Sequence, residues 1–300
     1  MNSMGQRRIA VVGLLILGYL GVFSHVAWSQ PATILQHLVY LNVPAYTLNL
    51  YTQYSDQRWE RLTIPVGVGR GPGRKNQTPT GQGELYAKAT GVTFEYGAQN
   101  PAELVGKTIT HSNTFDKTTL KPVRIKMPSD MKSIFMKINS DLDAQFYKRF
   151  VLHETTDWYT VGTPASNGCI RVERDDMHRL YNVLHPSVQE GPLSSAVPIT
   201  IYYDVAEYYP DEKRVVLHAN IYNRQIDYVQ EILADLQEAG IDTSLMNMPA
   251  LEAIVQKAHA QFEHAERTIR TRLSKAPFDR LVRDEEKQLL HFTFYLTFHY

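Results

Sequence analysis

Short runs of β-branched and aromatic residues dominate the chain from Ile34 to about Asp204. Proline and glycine residues separate these runs, as expected for strands joined by turns. The runs that predict strands most clearly are residues 38–41, 46–51, 59–68, 83–87, 150–153 and 197–203. Two segments favour helices instead, namely residues 129–148 and 175–184. This part of the chain is therefore predicted to be mainly β with some helix.

Beyond Val205 the pattern changes to helical periodicity. Residues 224–239 and 250–273 predict two helices, separated by breaks at Gly240 and Pro249. In the second helix, apolar residues recur at steps of four or three and form one stripe: Leu251, Val255, Ala258, Phe262, Ala265, Ile269 and Leu273. Such a stripe packs on the helix's own domain or, as the alternative, on a partner helix.

The last residues alternate strictly between larger apolar side chains and histidine, threonine or tyrosine. Residues 292, 294, 296, 298 and 300 form the apolar set, which is typical of a half-buried strand. We expect this strand to add to an existing sheet edge. The predicted fold class is thus mainly β with α+β character: a small β-sandwich or barrel-like domain followed by a helical C-terminal extension.

The N-terminus has the order of a secretory signal. Arg7 and Arg8 precede an apolar run over residues 9–23, and Ala27 and Ser29 occupy the small-residue positions of a cleavage site. Because the run approaches the length of a membrane span, a retained anchor remains the alternative. Export to the periplasm or cell envelope is predicted in both cases. The predicted divisions are residues 1–30 for the signal or anchor, 31–205 for the catalytic domain and 206–300 for the extension.

Charge and cysteine content exclude some classes of protein. The 300 residues carry 31 basic and 31 acidic side chains, so the excess of positive charge typical of nucleic-acid binders is absent. The single cysteine, Cys169, excludes an internal disulfide. A lone cysteine is most often a small buried hydrophobe, and only its surroundings can indicate chemistry.

Those surroundings do indicate chemistry. His153 ends a predicted strand, and Cys169 follows a turn that contains Gly168. A cysteine attacks an acyl carbon only as the thiolate, which requires a nearby base, and histidine is the usual base near neutral pH. The turn can also aim backbone N–H groups at a developing oxyanion. The sequence therefore favours a cysteine acyltransferase.

The sequence Ser166–Asn167–Gly168–Cys169–Ile170–Arg171, with His153 and Thr155 upstream, resembles the signature of the YkuD-type L,D-transpeptidase family. The loop Thr78–Pro79–Thr80–Gly81 is similar to that family's Thr-Pro-x-Gly turn. These motifs occur in the family's order between about Ile34 and Tyr203.

The resemblance implies that Cys169 attacks the bond between diaminopimelate and D-alanine in a peptidoglycan tetrapeptide stem, forming a thioester that an amine acceptor resolves. It implies that His153 is the base and that Gly168 and Cys169 donate backbone hydrogen bonds to the oxyanion. Around the substrate it places four further residues: Ser166, Asn167, Thr155 and Arg171. For Arg171, a buried structural pair is equally compatible with the sequence.

No metal or organic cofactor is expected, and the histidines His178, His185 and His218 lack zinc-ligand spacing. The expected partners are peptidoglycan stem peptides, with an envelope protein or the membrane surface as further candidates through the N-terminal segment. Alternatives are a hydrolase of the same fold, either an L,D-carboxypeptidase or an amidase, and a non-catalytic wall-binding scaffold.

The chain departs from the family pattern at three points. Glu154 stands where glycine is usual, so a carboxylate is expected beside the base, where it raises the histidine pKa or shapes the pocket. Asn167 stands where histidine or lysine is common. The region between Gly81 and His153 is long, which predicts a lid or an insertion of unusual form.

Overall fold

The computed structural model describes residues 32–71, 76–96, 108–110, 123–126, 129–140, 150–155, 157–185, 187–188, 190–273 and 282–296. The predicted N-terminal signal or anchor lies outside these residues. So do residues 141–148 of the predicted helix and residues 297–300 of the predicted terminal strand.

Strands account for most of the ordered elements from residue 34 to 218. In chain order they are β1 (Ile34–Asn42), β2 (Thr47–Tyr54), β3 (Trp59–Gly69), β4 (Gly81–Thr90), β5 (Thr93–Tyr96), β6 (Thr108–Thr110), β7 (Val123–Lys126), β8 (Lys132–Ser140), β9 (Val151–Glu154), β10 (Pro164–Ser166), β11 (Ile170–Val172), β12 (Gly191–Tyr202), β13 (Ala206–Tyr209), β14 (Arg214–His218) and β15 (His291–Tyr295). The helices are α1 (Arg174–Val183), α2 (Tyr228–Glu238), α3 (Met248–Leu273) and α4 (Asp284–Gln288).

Eight of these strands close into a barrel-like sheet. The order is β3-β11-β9-β8-β4-β12-β1-β2, and β2 pairs with β3 again to complete the circle. Most neighbours are antiparallel, but β9 and β11 are parallel, as are β1 and β12. Closure leaves no free edge in this ring, and the predicted mainly β fold with a barrel-like sheet is confirmed.

Alternating residues of the barrel strands fill one hydrophobic core. Leu41, Leu48, Ile64, Leu152 and Ile170 are each fully buried in it. Their neighbours in sequence point to the outer face, because successive strand residues alternate between faces. Helix α1, which lies close to the predicted 175–184, packs Met177 and Leu180 onto the same core.

The prediction of a helix at residues 129–148 is wrong for its described part, where β8 forms. Within β8, Ile134, Met136 and Ile138 are buried while Lys137 and Asn139 are exposed, which is the two-residue period of a strand. The strand pairs with β4 on one side and β9 on the other. Two ladders of hydrogen bonds outweigh a weak local helical preference.

The region between β4 and β8 contains a second, three-stranded sheet of order β5-β7-β6. This small sheet lies within the long segment that predicts an insertion.

The C-terminal extension contains more structure than two helices and one strand. Strands β13, β14 and β15 form an antiparallel sheet in that order, so the terminal strand adds to a sheet edge as predicted. The predicted stripe of α3 is buried from Leu251 to Ile269 against α2, α4 and β15. The interpretation of α3 as a helix packed within its own chain is therefore confirmed. Strands β13 and β14 and helix α4 are additions that the sequence pattern does not predict.

Among the described residues, no helix combines the length and the apolar character that crossing a bilayer requires.

Candidate active site

The parallel pairing of β9 with β11 places the predicted base and nucleophile on neighbouring strands. In this register His153 lies opposite Arg171, and Leu152 lies opposite Ile170. Leu152 and Ile170 point into the core, so His153 and Arg171 share the outer face. Cys169 immediately precedes β11, and a backbone hydrogen bond from Val151 reaches its thiol. The thiol therefore lies beside the residue two positions before His153, on the neighbouring strand.

The hydrogen bonding of His153 fixes which ring nitrogen can act as a base. Its Nδ1 atom lies 2.7 Å from the backbone carbonyl oxygen of Glu154. Because a carbonyl oxygen only accepts, Nδ1 carries the proton and donates it in this bond. In the neutral ring Nε2 is then unprotonated and can accept a proton. The imidazole is buried, and this bond holds its orientation.

The cysteine side chain is partly exposed and reduced. Burial of the sulfur raises the pKa of the Cys169 thiol above its ordinary value, while the hydrogen bond from Val151 and the positive charge of Arg171 oppose that rise. A thiol with a raised pKa is mainly protonated at neutral pH. Its attack on a carbonyl therefore needs a base that removes the proton during the reaction, which is the role available to His153.

A tight turn in front of Cys169 fixes its backbone. The Ser166 hydroxyl donates to the carbonyl oxygen of Cys169 at 2.6 Å and accepts from the Gly168 N–H at 3.0 Å. Gly168 has φ +112°, and a Cβ there would lie 2.1 Å from the Phe150 ring. Only glycine fits this position. The Gly168 N–H is bonded to Ser166 in this arrangement, and its donation to an oxyanion stays a prediction.

The Thr-Pro loop contacts the cysteine turn directly. The Thr78 hydroxyl donates to the carbonyl oxygen of Gly168 at 3.0 Å and accepts from the N–H of Gly69 at 2.9 Å. The Thr78 N–H in turn donates to the Tyr222 hydroxyl at 2.9 Å. The sequence indicates this loop but carries no sign of Tyr222, which belongs to the extension and reaches the loop only through the tertiary fold.

The side chain of Arg171 makes contacts that fit the structural alternative. Its guanidinium lies 3.6 Å from the Asp157 carboxylate and donates to the Thr160 hydroxyl at 3.1 Å. The Thr160 carbonyl also packs over Gly67, where a Cβ would come within 2.6 Å of it. Arg171 thus holds the loop between β9 and β11 against β3, while its charge acts on the Cys169 thiol.

The Glu154 carboxylate points away from the base rather than standing beside it. It is buried and lies 3.6 Å from the Arg174 guanidinium and 3.5 Å from His178 of α1. This direction follows from strand alternation, since adjacent residues face opposite sides of the sheet. The expected effect of the carboxylate on the histidine or the pocket is therefore not supported; Glu154 attaches α1 to β9.

Thr155 and Asn167 flank the site differently. Thr155 is buried, and its hydroxyl accepts from the Asp157 N–H at 3.1 Å, so it shapes the loop that carries Asp157. Asn167 is partly exposed, and its side-chain oxygen has no hydrogen-bond partner among the described residues.

Within the same described residues, no group of three or more histidine, cysteine or acidic side chains converges on a metal site.

Residues 36–199 match the model of the YkuD family, described as the L,D-transpeptidase catalytic domain. The match covers over half of the chain, and the chain belongs to this family. It therefore has the catalytic domain of an L,D-transpeptidase-type enzyme, and such domains act on peptidoglycan. No curated protein matches this chain.

Proposed function

We propose that this protein is a peptidoglycan L,D-transpeptidase in which Cys169 is the nucleophile and His153 the general base. The observation that supports this most strongly is the parallel register of β9 and β11, in which His153 pairs with Arg171 while Cys169 directly precedes β11. The bond from Nδ1 to the Glu154 carbonyl leaves Nε2 as the proton acceptor. A protein that only binds the wall has no need of an oriented thiol–imidazole pair.

The proposed reaction begins when His153 removes the thiol proton and the sulfur attacks the carbonyl carbon between diaminopimelate and D-alanine. Collapse of the tetrahedral intermediate forms the thioester, and the protonated imidazole gives its proton to the departing D-alanine amine. An acceptor amine then attacks the thioester, loses its proton to His153 and releases the thiol. Because the Gly168 N–H is bonded to Ser166, the Cys169 N–H is the backbone donor that we assign to the oxyanion.

The raised pKa of the Cys169 thiol gives a pH-dependent prediction for His153→Gln. The wild type is expected to acylate at neutral pH because His153 takes the proton, whereas the variant depends on free thiolate. Acylation by the variant should fall about 100- to 10,000-fold at pH 7 and recover as pH rises through the thiol pKa. Stopped-flow acylation by a carbapenem from pH 6 to 10 measures this. Equal pH profiles for the two proteins would show that His153 is not the base.

The function itself is tested with purified disaccharide-tetrapeptide muropeptides, incubated with wild type or Cys169→Ala and analysed by mass spectrometry. Cross-linked dimers that have lost D-alanine, formed only by the wild type, are the expected products. Tripeptide without dimers would instead identify an L,D-carboxypeptidase. No change with either protein, together with no acylation by a carbapenem, would contradict the enzymatic proposal and favour a wall-binding scaffold.

We also propose that the protein acts outside the cytoplasm, in the periplasm or cell envelope. The charged, apolar and small-residue order of residues 1–30 supports this, as does a substrate that belongs to the cell wall. N-terminal sequencing of protein from the envelope fraction distinguishes a signal cleaved after Ser29 from a retained anchor. Recovery of the protein only from the cytoplasm would contradict export.

A further inference from the structure

A turn of the C-terminal extension, residues 219–224, packs against the loop that precedes β4. The turn is braced internally: the Asn220 side chain donates to the Arg224 carbonyl oxygen at 2.6 Å and accepts from the Arg224 N–H at 3.0 Å. Its start is tied to the rest of the extension, since the Ala219 N–H donates to the Leu290 carbonyl oxygen at 2.9 Å. These hydrogen bonds hold the backbone of the turn, and therefore the start of each of its side chains, in place.

Two side chains of this turn reach the Thr-Pro loop. The Tyr222 hydroxyl accepts from the Thr78 N–H at 2.9 Å, and the Arg224 guanidinium lies 3.4 Å from the Thr80 hydroxyl. The Tyr222 ring also fills the space beside Gly71, where a Cβ would come within 2.8 Å of it. The extension thus contacts a loop of the catalytic domain through specific polar bonds and close packing.

Tyr222 is itself held rigidly. It is 4% exposed, and its N–H donates at 2.9 Å to the hydroxyl of Tyr203, the residue that follows β12. The rings of Tyr203 and Tyr222 lie 5.3 Å apart, and the Arg224 guanidinium lies 4.1 Å from the centre of the Tyr203 ring. Burial raises the pKa of Tyr222 to about 12, so its hydroxyl stays neutral throughout the physiological range.

The bond between Thr78 and Tyr222 is linked to the nucleophile by one further hydrogen bond and the peptide unit that follows it. The Thr78 N–H donates to Tyr222, and the Thr78 hydroxyl donates to the Gly168 carbonyl oxygen at 3.0 Å. That carbonyl belongs to the peptide unit whose nitrogen is the N–H of Cys169. The orientation of this peptide plane sets where the Cys169 N–H points and where its side chain begins, because the peptide unit is planar.

We propose that Tyr222 is a positioning residue for the acyl-transfer reaction, acting through Thr78 on the Gly168–Cys169 peptide. The inference rests on the proposed function and deepens it: the extension completes the active site by fixing the nucleophile and the oxyanion donor. Loss of the Tyr222 hydroxyl leaves the buried Thr78 N–H unpaired, and the Thr-Pro loop then shifts to find another acceptor.

The test compares Tyr222→Phe with Tyr228→Phe. Tyr228 is equally buried in the extension. Its hydroxyl donates to the His218 carbonyl oxygen at 2.6 Å and accepts from the Asn220 backbone N–H. Neither partner belongs to the Thr-Pro loop, so Tyr228→Phe controls for the loss of a buried hydroxyl near the same turn. For Tyr222→Phe we expect kcat for transpeptidation to fall about 10- to 100-fold with KM nearly unchanged. For Tyr228→Phe, kcat should remain within about twofold of wild type even if both variants melt at lower temperature.

A second readout uses a small neutral electrophile, iodoacetamide, whose reaction with Cys169 requires no peptidoglycan. We expect the pH profile of alkylation to shift for Tyr222→Phe and to stay unchanged for Tyr228→Phe. This separates the inference from the proposed function: wild type inactive on muropeptides contradicts the function, whereas matching alkylation profiles for wild type and Tyr222→Phe contradict the positioning role.

Thr78→Val tests the same relay from the catalytic domain and serves if Tyr222→Phe does not fold. It removes the hydroxyl that bonds Gly168 while keeping the shape of the side chain. We expect the same loss of kcat and the same shift in alkylation, with Thr78→Ser close to wild type. Full activity in Thr78→Val would overturn the inference. The double variant Tyr222→Phe/Thr78→Val gives a further check. If its loss of activation free energy equalled the sum of the losses of the two single variants, the inference would also be overturned, because residues that act through one relay are not additive.

Discussion

Cys169→Ala is expected to lose acyl transfer at least about 1,000-fold while keeping its fold, because covalent catalysis ends when the nucleophile is removed. Cys169 is the only cysteine of the chain, so no second thiol can replace it. The side chain is partly exposed at the rim of the core, so its loss should change the free energy of unfolding by no more than about 1 kcal/mol.

Two measurements check this prediction. Intact-protein mass spectrometry after incubation with a carbapenem should show a covalent adduct on the wild type and none on Cys169→Ala. Urea unfolding should give nearly the same midpoint for both proteins. Turnover of muropeptides by the folded variant at more than a trace of the wild-type rate would mean that another residue attacks the substrate, and the assignment of Cys169 would be wrong.

Gly168→Ala is expected to damage both stability and activity. With φ at +112°, a new Cβ would lie 2.1 Å from the Phe150 ring and 2.9 Å from the Gln77 carbonyl oxygen. The backbone must move to relieve these contacts, and Cys169 is the next residue. We expect the free energy of unfolding to fall by about 3–5 kcal/mol and acylation of the folded fraction to fall about 100-fold.

Gly191→Ala is the matched control. Gly191 also has a positive φ, +102°, but a Cβ there would meet no atom within 4 Å. The free energy of unfolding of Gly191→Ala should fall by about 1–3 kcal/mol, because alanine adopts this backbone conformation less readily than glycine. The variant should keep full activity. Urea unfolding and carbapenem acylation measure both effects. If Gly168→Ala acylated as fast as Gly191→Ala, the tight turn would not be what positions the nucleophile.

Elements whose structure is decided by residues close in sequence are predicted correctly, whereas elements decided by contacts with distant residues are not. The residue patterns that predict β2, β3 and α3 lie within short stretches of sequence, and the structure has these elements. The segment that forms β8 predicts a helix, because what decides its structure is pairing with β4 and β9, whose residues are distant in sequence. Strands β13 and β14 have only four and five residues, too few to show a clear period.

The candidate site divides in the same way. The residue types at Cys169, His153 and Gly168, together with their spacing along the chain, are enough to indicate cysteine acyl transfer. The sequence alone cannot assign Arg171 or Glu154, because each role depends on which face of a strand the side chain occupies and what packs there. Glu154 faces α1 and Arg171 faces the Asp157 loop.

The sequence by itself thus determined the family, the mainly β architecture and the residue types proposed to carry the reaction, since short motifs and local periodicity encode these. Only the tertiary structure decided how the residues meet. The parallel register of β9 and β11 puts His153 and the residue after Cys169 on neighbouring strands, and barrel closure brings the ends of distant strands together. The contact between Tyr222 and Thr78 spans 144 residues, and it forms because the extension packs beside the Thr-Pro loop, which no local pattern of side chains specifies.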